Sequence, residues 1–172
     1  MYTPAADEKT TPVMLYTHDT LVRGDVVTKT NVLRVNIWLR TDGAPKYMHV
    51  LKPQVLVFGG SPVKALTYFE TYFPTSELIG FHTLLPTDEP LDYDPNEMNR
   101  TMMLVEVKVG TFIMKGKIRI STQTDLGSSL EVARVSWLSL YDAEITNPYL
   151  PQMPAIHVPM ALLNPMKVAF SL

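Results

Sequence analysis

The sequence predicts an all-β chain of two tandem small five-stranded barrels, with an intervening linker and at most one short helix. Three observations predict this fold. Short runs rich in Val, Ile, Leu, Tyr and Thr alternate with Gly, Pro, Asn and Asp, as strands alternate with turns. Fourteen prolines against eight glycines disfavour long helices. The second half of the chain also repeats the order of features of the first, which indicates a duplication.

Composition narrows the class of protein further. The 172 residues are 46% hydrophobic and 19% charged, enough apolar surface for one domain or two small ones and too much for a disordered chain. The net charge of −2 gives no strong electrostatic case for a nucleic-acid or anionic-membrane partner. Because cysteine is absent, disulfides, thiolate catalysis and sulfur-ligated zinc are excluded.

Residues 1–12 are predicted to form a polar N-terminal tail. They contain no apolar stretch resembling a signal peptide. No window approaches the roughly 20 apolar residues of a membrane-spanning helix, so we expect no membrane insertion. A soluble cytoplasmic protein is the default expectation, and extracellular assembly by a non-classical route is the alternative.

The first barrel is predicted over residues 13–85. Its strands begin with residues 13–16 and 21–27, and residues 32–39 continue the apolar alternation. Residues 47–58 add two short runs, which Lys52 and Pro53 interrupt.

The stretch 61–71 has two interpretations. Ser61 suits a helix N-cap and Pro62 a first helical position. The aromatic residues that follow favour strands instead, so helix and strand stay open here.

An acidic, proline-bearing linker is predicted over residues 86–101. We expect its carboxylates to face solvent in a linker and not to form a calcium-binding loop, because the central glycine and terminal glutamate of such a loop are missing. These carboxylates are Asp88, Glu89, Asp92 and Asp94.

The second barrel is predicted over residues 102–172. Residues 104–109 and 112–120 alternate as strands on either side of Gly110. Residues 153–172 carry Pro154, Pro159 and Pro165 among apolar residues, a composition suited to an extended C-terminal arm that lies on a neighbouring molecule.

The internal duplication is predicted from three successive shifts. A shift of 92 places Val13 on Val105, Gly24 on Gly116 and Val26 on Ile118. A shift of 100 places Arg34, Val35 and Asp42 on Arg134, Val135 and Asp142. A shift of 112 places Leu51, Pro53 and Phe58 on Leu163, Pro165 and Phe170.

The opening of each copy resembles the first two strands of the Sm-like (Lsm) family. Residues 13–27 and 105–120 both read as apolar alternation, a tight turn, and a glycine flanked by hydrophobic positions. Residues 51–58 are similar to the last motif of the family, although Pro53 stands where the family has glycine and the second copy has Asn164 where it has a basic residue.

The resemblance implies two five-stranded barrels per chain. Sm-like domains assemble edge to edge into closed rings, so three chains would make a ring of six domains. The resemblance gives little support for RNA binding, because residues 28–31 and 121–125 lack the aromatic platform that single-stranded RNA needs.

The sequence offers no positive sign of an enzyme. The histidines are not spaced as metal ligands and are expected at turns or on the surface; they are His18, His49, His82 and His157. Nucleophile-elbow, phosphate-loop and dinucleotide motifs are absent. We expect no catalytic residues, no metal and no cofactor.

We therefore predict a structural, self-assembling protein whose partner is itself, in rings that stack into a tube or filament. The proposed assembly residues lie in the C-terminal segment; they are Ile156, Val158, Val168 and Phe170. We expect no nucleic-acid partner. The alternative is a regulatory ring of the same fold that binds RNA or a small ligand.

Overall fold

The computed structural model describes residues 2–84 and 91–172, which are mostly β-structure. The strands within these residues are β1 (Glu8–Tyr16), β2 (Thr20–Lys29), β3 (Tyr47–Val57), β4 (Lys64–Thr67), β5 (Glu70–Pro74), β6 (Gly80–Thr83), β7 (Arg100–Val109), β8 (Phe112–Ser121), β9 (Leu138–Thr146), β10 (Ile156–Leu163) and β11 (Ala169–Ser171). The all-β class is confirmed.

The strands form one open antiparallel sheet. Its order is β11-β7-β8-β9-β10-β6-β1-β2-β3-β4, and β5 also pairs with β3. Two separate barrels therefore stay a prediction, because the hydrogen-bonded ladder runs through both halves of the chain. No helix in the described residues is long and apolar enough to cross a membrane.

The helical elements are short and lie where the sequence did not predict them. α1 (Leu126–Val132) begins where the Asp125 carboxylate accepts the Ser128 amide at 2.7 Å, a typical N-cap. The prediction of a strand over residues 32–39 is wrong, because residues 32–34 belong to no strand and Val35–Arg40 form a 3₁₀ helix. A second 3₁₀ helix covers Thr75–Glu77.

The helix considered for residues 61–71 is wrong, because this stretch contains β4 and the start of β5. These two strands keep one register on β3, with Lys64 opposite Val57 and Glu70 opposite Leu51. The Lys52 amide also donates to the Phe69 carbonyl at 2.8 Å, so β4 and β5 form one interrupted strand. This pairing with β3 outweighs the local signal of Ser61 and Pro62.

The two halves of the chain share one pairing scheme. In the first half β1 pairs with both β2 and β6, and in the second half β7 pairs with both β8 and β11. The second strand of each half then pairs with a third strand, which is β3 in the first half and β9 in the second. The third strand pairs with a fourth, which is β4 together with β5 in the first half and β10 in the second. The spatial order within each half is thus fifth, first, second, third, fourth.

The first of the three shifts agrees with this scheme. Val13 lies opposite Gly24, and Val105 lies opposite Gly116. The shift of 112 is wrong, because it places β3 on β10 and β11 although the structural counterpart of β3 is β9. The shift of 100 is wrong for Asp42, which follows a 3₁₀ helix, whereas Asp142 lies within β9.

Both glycines mark a register irregularity where the backbones approach closely. The register of β2 on β3 shifts across Gly24, and that of β8 on β9 shifts across Gly116. A Cβ at Gly24 would lie 2.9 Å from the Leu51 carbonyl oxygen, and one at Gly116 would lie 2.7 Å from that of Tyr141. Glycine is required at both places because neither carbonyl can move without disturbing its strand.

Two hydrophobic cores lie against the sheet, and each half contributes side chains to both. The core of the first half contains Val13, Val50 and Phe81 together with Trp137 and Leu162 of the second half. The core of the second half likewise includes first-half side chains; they are Met14, Tyr16, Leu21 and Ile79. This exchange packs the halves together.

The predicted tail and linker contribute to the fold. β1 begins at Glu8, so part of the stretch 1–12 is strand, and β7 begins at Arg100. Residues 85–90, including Asp88 and Glu89, lie outside the described residues. The boundaries of the predicted domains stay predictions.

Candidate assembly interface

The two halves are joined by a short pairing between β10 and β6. Leu162 lies opposite Phe81, and Leu163 lies opposite Gly80. The Asn164 amide extends this joint by donating to the Ile79 carbonyl at 2.9 Å. Leu162 and Phe81 are fully buried. The fourth strand of one half therefore pairs with the fifth strand of the other and closes a core.

The fourth strand of the first half has no such partner among the described residues. In the part of the chain that the structure describes, β4 and β5 pair only with β3, which leaves their other edge free. The large apolar side chains exposed on these strands and between them are Leu66, Tyr68, Phe69 and Tyr72. Phe69 is 82% exposed and Tyr72 is 58% exposed. An unpaired edge with exposed aromatic residues is a surface that favours association.

The fifth strand of the second half forms the other free edge. β11 pairs with β7 alone in the described part of the chain, with Phe170 opposite Val107. Phe170 and Val168 pack partly buried against the core of the second half. Of the proposed assembly residues, these two therefore lie at or next to an outer edge.

The other two proposed residues lie within the sheet. Val158 is buried in the core of the second half, and Ile156 packs against that core. Both belong to β10, which pairs with β9 along its length. The sequence had no means of separating the β10 residues from Phe170, because both segments are short apolar runs next to proline.

An aromatic group missed in the sequence lies beside the free edge of β5. The His49 ring stacks on Tyr72 with centroids 4.4 Å apart, and Tyr2 meets His49 edge-on at 4.5 Å. His49 Nε2 lies 2.8 Å from a Glu70 carboxylate oxygen. Since His49 and Tyr72 are directly opposite on β3 and β5, only their pairing reveals this contact.

Asp92 anchors the segment that precedes β7. Its carboxylate accepts hydrogen bonds from Tyr141 Oη at 2.6 Å and Ser139 Oγ at 2.8 Å, and it pairs with Arg40 at 2.6 Å. The side chain is only 4% exposed, so a solvated linker is the wrong description for Asp92. Burial raises the pKa of this carboxyl, but the hydrogen bonds and Arg40 outweigh burial and hold the pKa below its usual value.

A cavity of about 540 Å³ lies next to this carboxylate, between α1 and residues 92–97. Its apolar wall includes Leu130 and Trp137. Arg119 on its polar side pairs with Glu97 at 2.8 Å and lies 4.6 Å from the centre of the Tyr93 ring. The volume is in the range of small-molecule sites.

The prediction that the histidines lie at turns or on the surface is wrong for His82. It is 1% exposed in β6 and 2.9 Å from Tyr16 Oη, while its other ring nitrogen lies 3.0 Å from the Thr83 carbonyl. Burial lowers the pKa of His82 to about 4 and raises that of Tyr16 above its usual value. The neutral ring donates to Thr83 and accepts from Tyr16.

The segments compared with the RNA site of Sm-like proteins have structural contacts. Lys29 pairs with Asp7 and Glu8 at 3.0 and 3.1 Å. Asp125 caps α1. Within residues 2–84 and 91–172, no three His, Asp or Glu side chains come together as a group that could hold a metal ion.

Comparison with known proteins supplies no relative. No family model, no curated protein and no solved structure matches this chain.

Proposed function

We propose that this protein is a structural protein that assembles with copies of itself into rings, which stack into a tube or filament. One observation carries the proposal: the chain joins a fourth strand to a fifth strand internally, and within residues 2–84 and 91–172 another fourth and fifth strand have no neighbour on their outer edges. In this proposal each half is one five-stranded unit resembling an Sm-like barrel.

Exposed apolar side chains at the outer edges support association. An unpaired strand with exposed aromatic residues is a liability that proteins normally cover. Two different edges that fit each other give head-to-tail contacts, which close into a ring when the rotation between subunits permits closure. Lys64, the first residue of β4, is the kind of charge that limits indiscriminate edge pairing.

Light scattering coupled to size exclusion, followed by negative-stain microscopy, tests self-assembly. We expect a defined multiple of the 19.4 kDa chain and ring-shaped particles at micromolar concentration. A monomer throughout that range would overturn the proposal. Discrete particles without a central opening would retain self-assembly but reject the ring.

A ring that binds a small ligand is the second candidate function. The cavity of about 540 Å³ beside Asp92 favours it, because an apolar wall and a few convergent polar groups are typical of ligand sites. Thermal-shift screening of wild type against Leu130→Trp, which fills the cavity, tests this function. A ligand that stabilises only the wild type would support it.

A further inference from the structure

We infer that β11 of one chain pairs antiparallel with β5 of a second copy, with Phe170 opposite Tyr72 of that copy. The inference rests on the proposed self-assembly and names its partner and its register. The joint between β10 and β6 within the chain supplies the geometry.

The fourth strands are aligned by their partners. Tyr72 lies opposite His49, three residues before Lys52, and Leu162 lies opposite Ser139, three residues before Asp142. Lys52 and Asp142 face the register shifts at Gly24 and Gly116 and have φ values of 48° and 50°. Tyr72 therefore occupies in β5 the place that Leu162 occupies in β10.

The fifth strands are aligned in the same way. Phe81 lies opposite Leu15, and Phe170 lies opposite Val107. Leu15 lies two residues after Val13, which faces Gly24. Val107 lies two residues after Val105, which faces Gly116. Phe170 therefore occupies the place of Phe81, and the internal pair of Leu162 with Phe81 becomes Tyr72 with Phe170 between chains.

Burial distinguishes the satisfied joint from the free edges. Leu162 and Phe81 are both 0% exposed, whereas Tyr72 is 58% exposed and Phe170 only partly buried. Leu162 belongs to the second half but packs in the core of the first, beside Phe81. By the same geometry, Tyr72 would enter the second-half core of the neighbouring chain beside Phe170.

Side-chain size at the next position agrees with this register. Leu163 faces Gly80 in the internal joint, so a large side chain meets a residue with no side chain. The corresponding pair between chains is Phe73 with Ala169, again large against small. A shift of one residue would place Phe73 against Phe170 and reverse the faces of the strand.

Engineered cysteines test the register, because the chain has no cysteine of its own. In the inferred joint Ser171 faces Thr71 of the next copy, and directly opposite residues approach closely enough for a disulfide. Thr71→Cys protein mixed with Ser171→Cys protein should give, on mild oxidation, mainly a heterodimer that peptide mapping assigns to positions 71 and 171. Phe69→Cys is the matched control, since it lies two positions before Thr71, in the short break between β4 and β5.

The outcomes separate the two proposals. At least a tenfold excess of the 71–171 cross-link over the 69–171 cross-link supports the register. Equal cross-linking, or a preference for position 69, overturns it. Full-size assemblies without the 71–171 cross-link overturn this joint but leave self-assembly standing, whereas a wild-type monomer overturns both.

Discussion

Lys52 and Asp142 occupy the same place in the two halves of the sheet. Each has a left-handed backbone, with φ of 48° and 50°, and each faces a glycine at which the neighbouring strand shifts register. This conformation is uncommon for residues other than glycine. Because this conformation recurs opposite Gly24 and Gly116, the two halves share the same backbone geometry at this point of the sheet.

We expect Gly24→Ala and Gly116→Ala each to lower the free energy of unfolding by about 1–3 kcal/mol, because the added Cβ overlaps a backbone carbonyl. Urea denaturation measures the change. Gly127→Ala, whose Cβ would lie 3.7 Å from the Asp125 carboxylate, is the control and should be neutral or stabilising. Unchanged midpoints for both strand variants would contradict the close approach.

Stability should fall as the pH drops from about 6.5 towards 4, because of His82. Burial lowers the pKa of His82 to about 4, so in this range the unfolded chain binds a proton that the folded chain does not. Between these two pH values the free energy of unfolding should fall by about 3 kcal/mol because of His82. The stabilisation that depends on a neutral His82 is fully present above about pH 6.5.

Denaturation of wild type and His82→Gln across pH 4–7 isolates this contribution. The variant should be less stable at pH 7, since its contact with Tyr16 changes, and should show a flatter pH dependence. Parallel curves for the two proteins would mean that His82 does not titrate as the burial requires.

Asp92→Asn should destabilise the fold by about 1–3 kcal/mol, since it removes the charge that Arg40, Ser139 and Tyr141 face. The pKa of Asp92 is depressed in the folded state, so its contribution is present at neutral pH and lost as the pH falls below about 4. Asp42→Asn, at an exposed position, is the control. Equal midpoints for the two variants would argue against an anchoring role.

Phe170→Asp should reduce the size of the assembly before it unfolds the chain, because it places a charge in the inferred joint. Sedimentation velocity measures the size, and circular dichroism monitors folding. Leu33→Asp, at an 81% exposed position outside the strands, should leave the assembly intact. Assemblies of unchanged size with Phe170→Asp would contradict a role for this edge.

Deletion of residues 155–172 should abolish assembly and destabilise the second half, because it removes β10 and β11. The deletion is less informative than Phe170→Asp, since β10 also carries the buried Val158 and Leu162. Circular dichroism should show a loss of strand signal. A folded, full-size assembly would rule out any need for this segment.

Single-stranded RNA should bind weakly, with a Kd of about 10⁻⁴ to 10⁻⁶ M at physiological salt, because the net charge is −2 and Lys29 is paired with carboxylates. Fluorescence anisotropy measures the affinity. The His49–Tyr72 stack is the place at which a base could stack, so Tyr72→Ala is the informative variant. Submicromolar, sequence-selective binding lost in Tyr72→Ala would favour the RNA alternative.

Sequence patterns predicted the strands best in the hairpin that opens each half. β1, β2, β7 and β8 contain the predicted apolar runs, although residues 8–12 of β1 were predicted as tail. The match of Gly24 with Gly116 agrees with the register of both hairpins. They failed at residues 32–39 and left helix and strand open at residues 61–71. There, local propensity for strand or helix was overridden by packing and by pairing with β3.

Local residue patterns were enough to predict the β-rich class, the glycines that permit close strand approach and the apolar C-terminal segment that contains Phe170. Each depends on the residue itself or on neighbours within a few positions. Only the three-dimensional arrangement of the strands reveals the burial of Asp92 and His82, the stack of His49 on Tyr72 and the joint of Leu162 with Phe81. These contacts join residues far apart in the chain, and they depend on strand order and register. The periodicity within one strand specifies neither the order of the strands nor their register.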